Sequence, residues 1–312
     1  MIKERKLNLG IFSNNYESAG VGIAKNAPKS KGIKLFFEIL WRKAWKLMGV
    51  NLLYSIFFIL PILSFVSLFK LPGIAGIITS IVLLLAFAIL IGPATAGMTK
   101  VIRNYVLERN SFILHDFFKS FKQNFGKAAF ISFFDCLIAL CVWAGYNVYP
   151  DLAQQMDSKL MYVPMIISLS LGLVVAMMNF YAFLMLVATD LSLKNLLKNS
   201  FALAFIEMKK SVITLAIYII VIVALAILTF KVSYAVTFIL LIFPAAFLCF
   251  VSGFNCYPAI QKYVINPYYT SIGEVNPELD DAAADEETIF EDMGGKEKPI
   301  EKRKKGKGKR IS

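Results

Sequence analysis

The stretch GIAGIITSIVLLLAFAILIGPAT, residues 73–95, runs for 23 positions without one charged side chain. At the helical rise of ~1.5 Å per residue it is long enough to cross a hydrocarbon core about 30 Å thick. It shows no alternation of polar and apolar positions, so a barrel strand is the wrong reading. Just ahead of it lies MGVNLLYSIFFILPILSFVSLF, residues 48–69, separated only by Lys70, Leu71 and Pro72. Two spanning helices joined by a tight turn are predicted.

Four more runs of the same kind follow, at 126–149, 163–189, 212–230 and 232–255, the last two meeting at Lys231 as a second tight turn. Across 312 residues the chain is 58% hydrophobic and 17% charged, too oily for one soluble domain. Backbone groups in lipid must be satisfied within their own segment, which favours helices over irregular chain. The expected fold is all-α and polytopic, with six transmembrane helices. Its domains are a polar segment at 1–30, a membrane domain at 31–263 and a disordered, acidic-then-basic tail at 264–312. The first 45 or so residues hold no early apolar run, so the first span is expected to act as its own insertion signal.

Charge sets the expected orientation. Of 33 Lys and Arg, 30 fall before the first span, after the second and fourth, or in the tail; Lys70, Lys159 and Lys231 are the exceptions. By the positive-inside rule both termini are cytoplasmic, which needs an even number of spans. The net charge of +12 is mostly this topogenic excess, and nucleic acid is not expected as a partner. The tail holds nine acids between Glu274 and Asp292, then nine basic residues within 296–310. Blocks of like charge with few apolar residues read as disordered, and the basic block suits anionic inner-leaflet lipid or the acidic block beside it. Cys136, Cys141, Cys249 and Cys256 lie in or at the ends of spans, with no CxxC pair, and read as packing residues.

Three stretches on the basic side are amphipathic. They are IKLFFEILWRKAWKL at 33–47, HDFFKSFKQNF at 115–125 and SLKNLLKNSFALAFIEMKK at 192–210. In the second, Asp116 is expected as the N-cap, and Phe117, Phe118, Phe121 and Phe125 form one apolar stripe. Gly126 is expected as the bend into the third span, with Lys127 anchoring its start. Ser192 is expected to cap the third stretch. Apolar positions at helical spacing opposite lysines suit a helix lying in the headgroup plane. Each precedes a helical hairpin, and Phe36–Phe37, Phe117–Phe118 and Leu196–Leu197 recur about 80 residues apart. A threefold repeat of an interfacial helix plus a hairpin is predicted.

Chemistry-bearing motifs are few. His115 is the one histidine, and no P-loop, GxSxG, HExxH or GxGxxG occurs. No catalytic residue, cofactor or metal is expected, and the chain is not read as an enzyme. Asp135, about nine residues into the third span, is the best candidate for a polar site. A charged Asp at mid-bilayer costs roughly 2.5–3.5 kcal/mol, so it should face the bundle, a cavity or a partner. Asn179 and Asn51 are its candidate hydrogen-bond partners. Gly92 and Pro93 form a candidate helix break, because proline lacks the amide proton and glycine allows close approach.

The runs NLLYSIFFILP at 51–61, IGPATAGM at 91–98 and HDFFKSFKQNFGKA at 115–128 resemble the YesL-like family of Gram-positive bacterial membrane proteins. The resemblance covers roughly 25–263. It implies a bacterial plasma-membrane protein with no assigned catalytic or binding residue, whose genes often neighbour carbohydrate-uptake genes. The expected function is a non-catalytic accessory factor in carbohydrate uptake or membrane-complex assembly, with the bilayer and other membrane proteins as partners. The alternative is a transporter or channel that uses Asp135 inside the bundle.

Overall fold

The computed structural model describes residues 31–231 and 243–278. Among them all regular structure is helical. The chain divides after Trp45 into two units. In the first, the described residues are 31–45, helical from Ile33, with the Phe36 and Phe37 rings in edge contact at 5.3 Å and Trp41 exposed. The second unit, from Lys46 onward, carries the rest of the helices.

Helix α1 spans Ile33–Ser55. The helix passes Gly49, a weak helix former, and runs on to Ser55. The interruption comes later, as a 3-10 turn at Ile56–Phe58 ahead of α2, Ile59–Lys70. Pro61 explains its position: the ring crowds the carbonyl four residues back, at Phe57, and removes one amide donor. After α2 the chain turns at Leu71, which is extended, and Gly73, whose φ of 57° suits glycine. Helix α3, Gly73–Val106, then returns along α2.

A short helix α4, Ile113–Gln123, leads into α5, Phe125–Gln155, and a 3-10 turn at Lys159–Met161 leads into α6, Tyr162–Ala188. Helix α5 passes Tyr149 and Pro150 and ends six residues later than the expected span. Helix α7, Leu193–Ile206, precedes α8, Met208–Lys231. Ser192 is its N-cap through its carbonyl, which accepts from the Leu196 amide; its hydroxyl makes no cap bond. Helix α9, Pro244–Ile260, a π turn at Gln261–Ile265 and α10, Asn266–Ser271, close the described chain.

Among the described residues, five helical runs are long and apolar enough to cross a membrane: Ile33–Lys70, Gly73–Val106, Phe125–Gln155, Lys159–Ala188 and Met208–Thr229. Large apolar side chains such as Ile74, Ile78, Ile166, Ile167 and Ile220 stand exposed along them. Apolar surface of that extent needs lipid as its solvent, and the protein is a multi-pass membrane protein. Residues 232–242 of the expected sixth span, the segment 1–30 and the charged blocks beyond 278 lie outside the described residues, while Lys231, expected as a turn, is still helical at the end of α8.

In lipid, an apolar side chain gains little by choosing a neighbouring helix over an acyl chain. The helix seams accordingly carry small residues and hydroxyls. Ser64 Oγ meets Ser80 Oγ at 2.6 Å between α2 and α3, and Gly145 lies against Ser168 between α5 and α6. Helix α9 is held by Asn255 Nδ2, which donates to Thr214 Oγ1 at 2.6 Å and to Lys210 O at 3.0 Å. Tyr181, Met185, Leu196, Leu203, Tyr257 and Ile260 form a fully or nearly buried core of α6, α7 and α9. The four cysteines are free thiols, with Cys249 and Cys256 buried.

Candidate functional site

Asp135 on α5 and Asn179 on α6 line one groove of about 620 Å³ between those helices. Ile138, Val142, Leu169 and Leu173 supply apolar walls. Trp143 and Tyr146, at 67% and 64% exposure, stand at its open side. The Asn179 side chain lies beside the Asp135 carboxylate. Asn179 Oδ1 is buried and has no hydrogen-bond donor among the described residues. Asp135 is half-buried, and its groove opens on the α5–α6 flank.

Asn51 is not part of that pair. It is fully buried, its Nδ2 donating to Ser55 Oγ at 3.4 Å and its Oδ1 accepting from the Ala246 amide at 2.9 Å. Ala246 lies in the first turn of α9, whose N-cap residue Phe243 makes no side-chain cap bond. Asn51 therefore does a capping residue's work from another helix.

The Gly92–Pro93 break is a packing seam. Helix α3 continues through Pro93 to Val106, so the proline does not end it. A Cβ on Gly92 would stand 2.1 Å from the Ala128 carbonyl oxygen and 2.4 Å from Ser132 Oγ. Ser132 Oγ donates to Ala88 O at 2.7 Å, tying α5 to α3 one turn before the glycine. Neighbours Ala94, Ala96 and Gly97 are buried too.

Helix α4 corrects the interfacial reading in three respects. Its N-cap is Phe112, not Asp116; Asp116 reaches back, accepting from the Phe112 amide at 3.1 Å and from Ser111 Oγ. Phe117 is fully buried, with its ring 3.1 Å from where a Cβ on Gly97 would be, and Ser120 Oγ donates to Ala96 O at 3.1 Å. The helix thus docks on α3 instead of resting on lipid alone. Phe118 and Phe125 are exposed at 43% and 39%, while Phe121 stacks on Phe57 at 5.6 Å. The bend sits at Asn124, which ends α4 and caps α5; Gly126 lies inside α5. Lys127 donates to Leu191 O at 2.8 Å. His115 is exposed, and among the described residues no three His, Cys, Asp or Glu side chains are placed to hold a metal.

A second polar centre was not singled out from sequence. Arg103, 6% exposed on α3, donates from Nε to Tyr257 OH at 2.7 Å and from Nη2 to Glu278 Oε1. Tyr257 OH donates in turn to the Glu278 carboxylate at 2.7 Å, and Gln261 Nε2 donates to Glu278 Oε2 at 2.9 Å. The guanidinium also sits 5.0 Å from the Tyr257 ring centroid. Asn276 orders the approach: its Oδ1 accepts from the Glu278 amide, and its Nδ2 donates to Asn266 Oδ1. The described chain continues past 263, the expected tail boundary, with Glu278 tied to Arg103, Tyr257 and Gln261.

Arg103 and Glu278 form part of the wall of a basin of about 1130 Å³, with Lys100, Arg109, Lys127 and Asp190. Sequence counted Arg103 among the topogenic charges. The one available signal was its position in TKVIRNYV, an uninterrupted continuation of α3 where an arginine has to find a partner.

No curated protein and no solved structure matches the chain. Residues 47–146 match the model of a family described as a protein of unknown function, DUF624. The YesL-like family is a DUF624 family, and the stretches 51–61, 91–98 and 115–128 that carry the resemblance all fall inside the match, so residues 47–146 of this membrane protein are similar to that family.

Proposed function

We propose that the protein is a non-catalytic accessory factor of the plasma membrane that holds another membrane protein against its α5–α6 flank. The Asp135–Asn179 pair carries this reading. An aspartate among apolar walls costs roughly 2.5–3.5 kcal/mol at mid-bilayer, and a partner helix bringing a hydrogen-bond donor offsets that cost. Asn179 Oδ1 beside it is buried and has no donor among the described residues, so the pair is under-satisfied within the chain. The exposed Trp143 and Tyr146 offer rigid aromatic surface at the rim. Cytoplasmic termini, a sixth span and the threefold repeat rest on charge distribution and sequence pattern. The link to carbohydrate uptake or complex assembly rests on the family resemblance.

A photo-crosslinking amino acid at Trp143, in native membranes, tests the docking. The expected product is a protein adduct of discrete mass that Asp135→Ala abolishes. Adducts with lipid alone, or a protein adduct indifferent to Asp135→Ala, would sink the reading. Direct transport is the weaker account, since the Asp135 groove opens on one flank of the helix pair. Proton flux in liposomes that vanishes with Asp135→Asn would restore it.

A further inference from the structure

On the docking reading above, on which this inference rests, we propose that the α5–α6 groove receives a transmembrane helix carrying a lysine or arginine at mid-bilayer. Asp135 lies ten residues after α5 begins, and Asn179 nine before α6 ends. At the helical rise those offsets are about 15 Å and 13 Å, close to half of a hydrocarbon core about 30 Å thick. Both helices thus place the carboxylate near the middle of the membrane. The groove around it holds no Lys, Arg or His, and among the described residues Asp135 makes no ion pair. Asn179 beside it supplies a neutral side chain and leaves the charge unmatched.

Depth and shape select the occupant. Acyl chains at mid-bilayer offer neither charge nor hydrogen-bond donor, and lipid amines stand at the membrane surfaces. The lining runs from Asp135 to Tyr146 on α5 and from Leu169 to Asn179 on α6, about 15 Å along each helix. An open trough of that length follows the helix axes as a third helix would. Ala139 and Ala176 are small enough to let its backbone approach. A cation in another span carries an insertion penalty like that of Asp135, and pairing relieves both at once. A neutral donor would hydrogen-bond the carboxylate but leave its charge in hydrocarbon. Within the apolar runs of this chain Lys127 is the only cation, at the very start of the third, so a second copy does not supply the partner.

Synthetic transmembrane helices in phosphatidylcholine liposomes holding the full chain test the proposal. Each is an alanine-leucine helix with a diazirine residue beside one central guest, which is Lys, Asn or Leu. Adduct yield against the peptide-to-lipid ratio gives an apparent affinity. The Lys guest should saturate at a ratio roughly ten-fold or more below the Leu guest, as a charge-assisted bond implies, with Asn between them. In Asp135→Asn, whose melting point reports folding, the Lys guest should lose its advantage over Asn. Asp135→Lys should exchange the preference, taking a Glu guest over Lys. A Lys guest no better than Asn or Leu against the wild-type chain overturns the cationic partner, and that comparison needs no variant to fold. So does a Lys advantage that survives in folded Asp135→Asn. The Trp143 adduct in native membranes reports docking separately. Its presence without a Lys preference removes the cation and keeps the docking; its absence overturns the docking reading itself.

Discussion

Asn51 Oδ1 receives the backbone amide of Ala246 at 2.9 Å, across 195 residues of chain. That bond joins the first helix of the membrane unit to the last long one described, at the point where α9 would otherwise begin with unmet donors. In lipid no water stands ready to take the place of the asparagine.

Asn51→Ala should therefore lower stability by about 1–3 kcal/mol, the cost of a buried amide left without an acceptor. Denaturant unfolding in micelles measures it. Asn147→Ala is the control, since Asn147 only donates to Trp143 O in an exposed setting. Equal effects from the two would contradict the tertiary cap.

At Gly92 the nearest obstruction is the Ala128 backbone carbonyl, which cannot swing away as a side chain can. Gly92→Ala should cost about 1–3 kcal/mol or more, as overpacking does, or block folding outright. Gly126→Ala meets nothing within 4 Å and should change stability by about 1 kcal/mol or less. The same unfolding assay compares them, and a tolerated Gly92→Ala would show that the α3–α5 seam is looser than its geometry implies.

The Arg103–Glu278 pair predicts a non-additive response. Removing one partner of a buried pair costs about 3–5 kcal/mol because the other charge is left behind. Glu278→Ala should expose the chain near Tyr268 and Tyr269 to limited proteolysis, and so should Arg103→Ala. The double variant should cost clearly less than the two single costs added together. Full additivity would mean the pair is not coupled.

Phe117 and Phe118 are adjacent, yet only the first is enclosed by α3 and α4. Phe117→Ala should destabilise by about 3–5 kcal/mol, in the range of buried phenylalanine truncations. Phe118→Ala, at a 43% exposed position, should cost under half as much. Similar losses at both positions would return α4 to the headgroup plane.

These residues also show where sequence reading succeeds. The α2–α3 hairpin was legible because uninterrupted apolar length and a Pro-Gly turn are local properties, and lipid leaves a long apolar chain little choice but helix. The periodicity of α4 was legible for the same reason. Its environment was not: Phe117 and Phe118 have the same chemistry, and only the position of Gly97 on another helix decides which one is buried. Asp135 and Asn179 line one groove while Asn51 lies against α9, because spacing along the chain does not reveal which helices are neighbours.

The amino-acid sequence by itself determined the class of this protein, a helical chain whose apolar runs require a bilayer, and the family to which residues 47–146 are matched. Tertiary structure alone decided which polar groups meet. Arg103 and Glu278 lie 175 residues apart, and one reads as a topogenic charge, the other as part of an acidic tail. Helix formation and insertion depend on local composition, whereas a buried ion pair depends on where two distant helix ends come to rest.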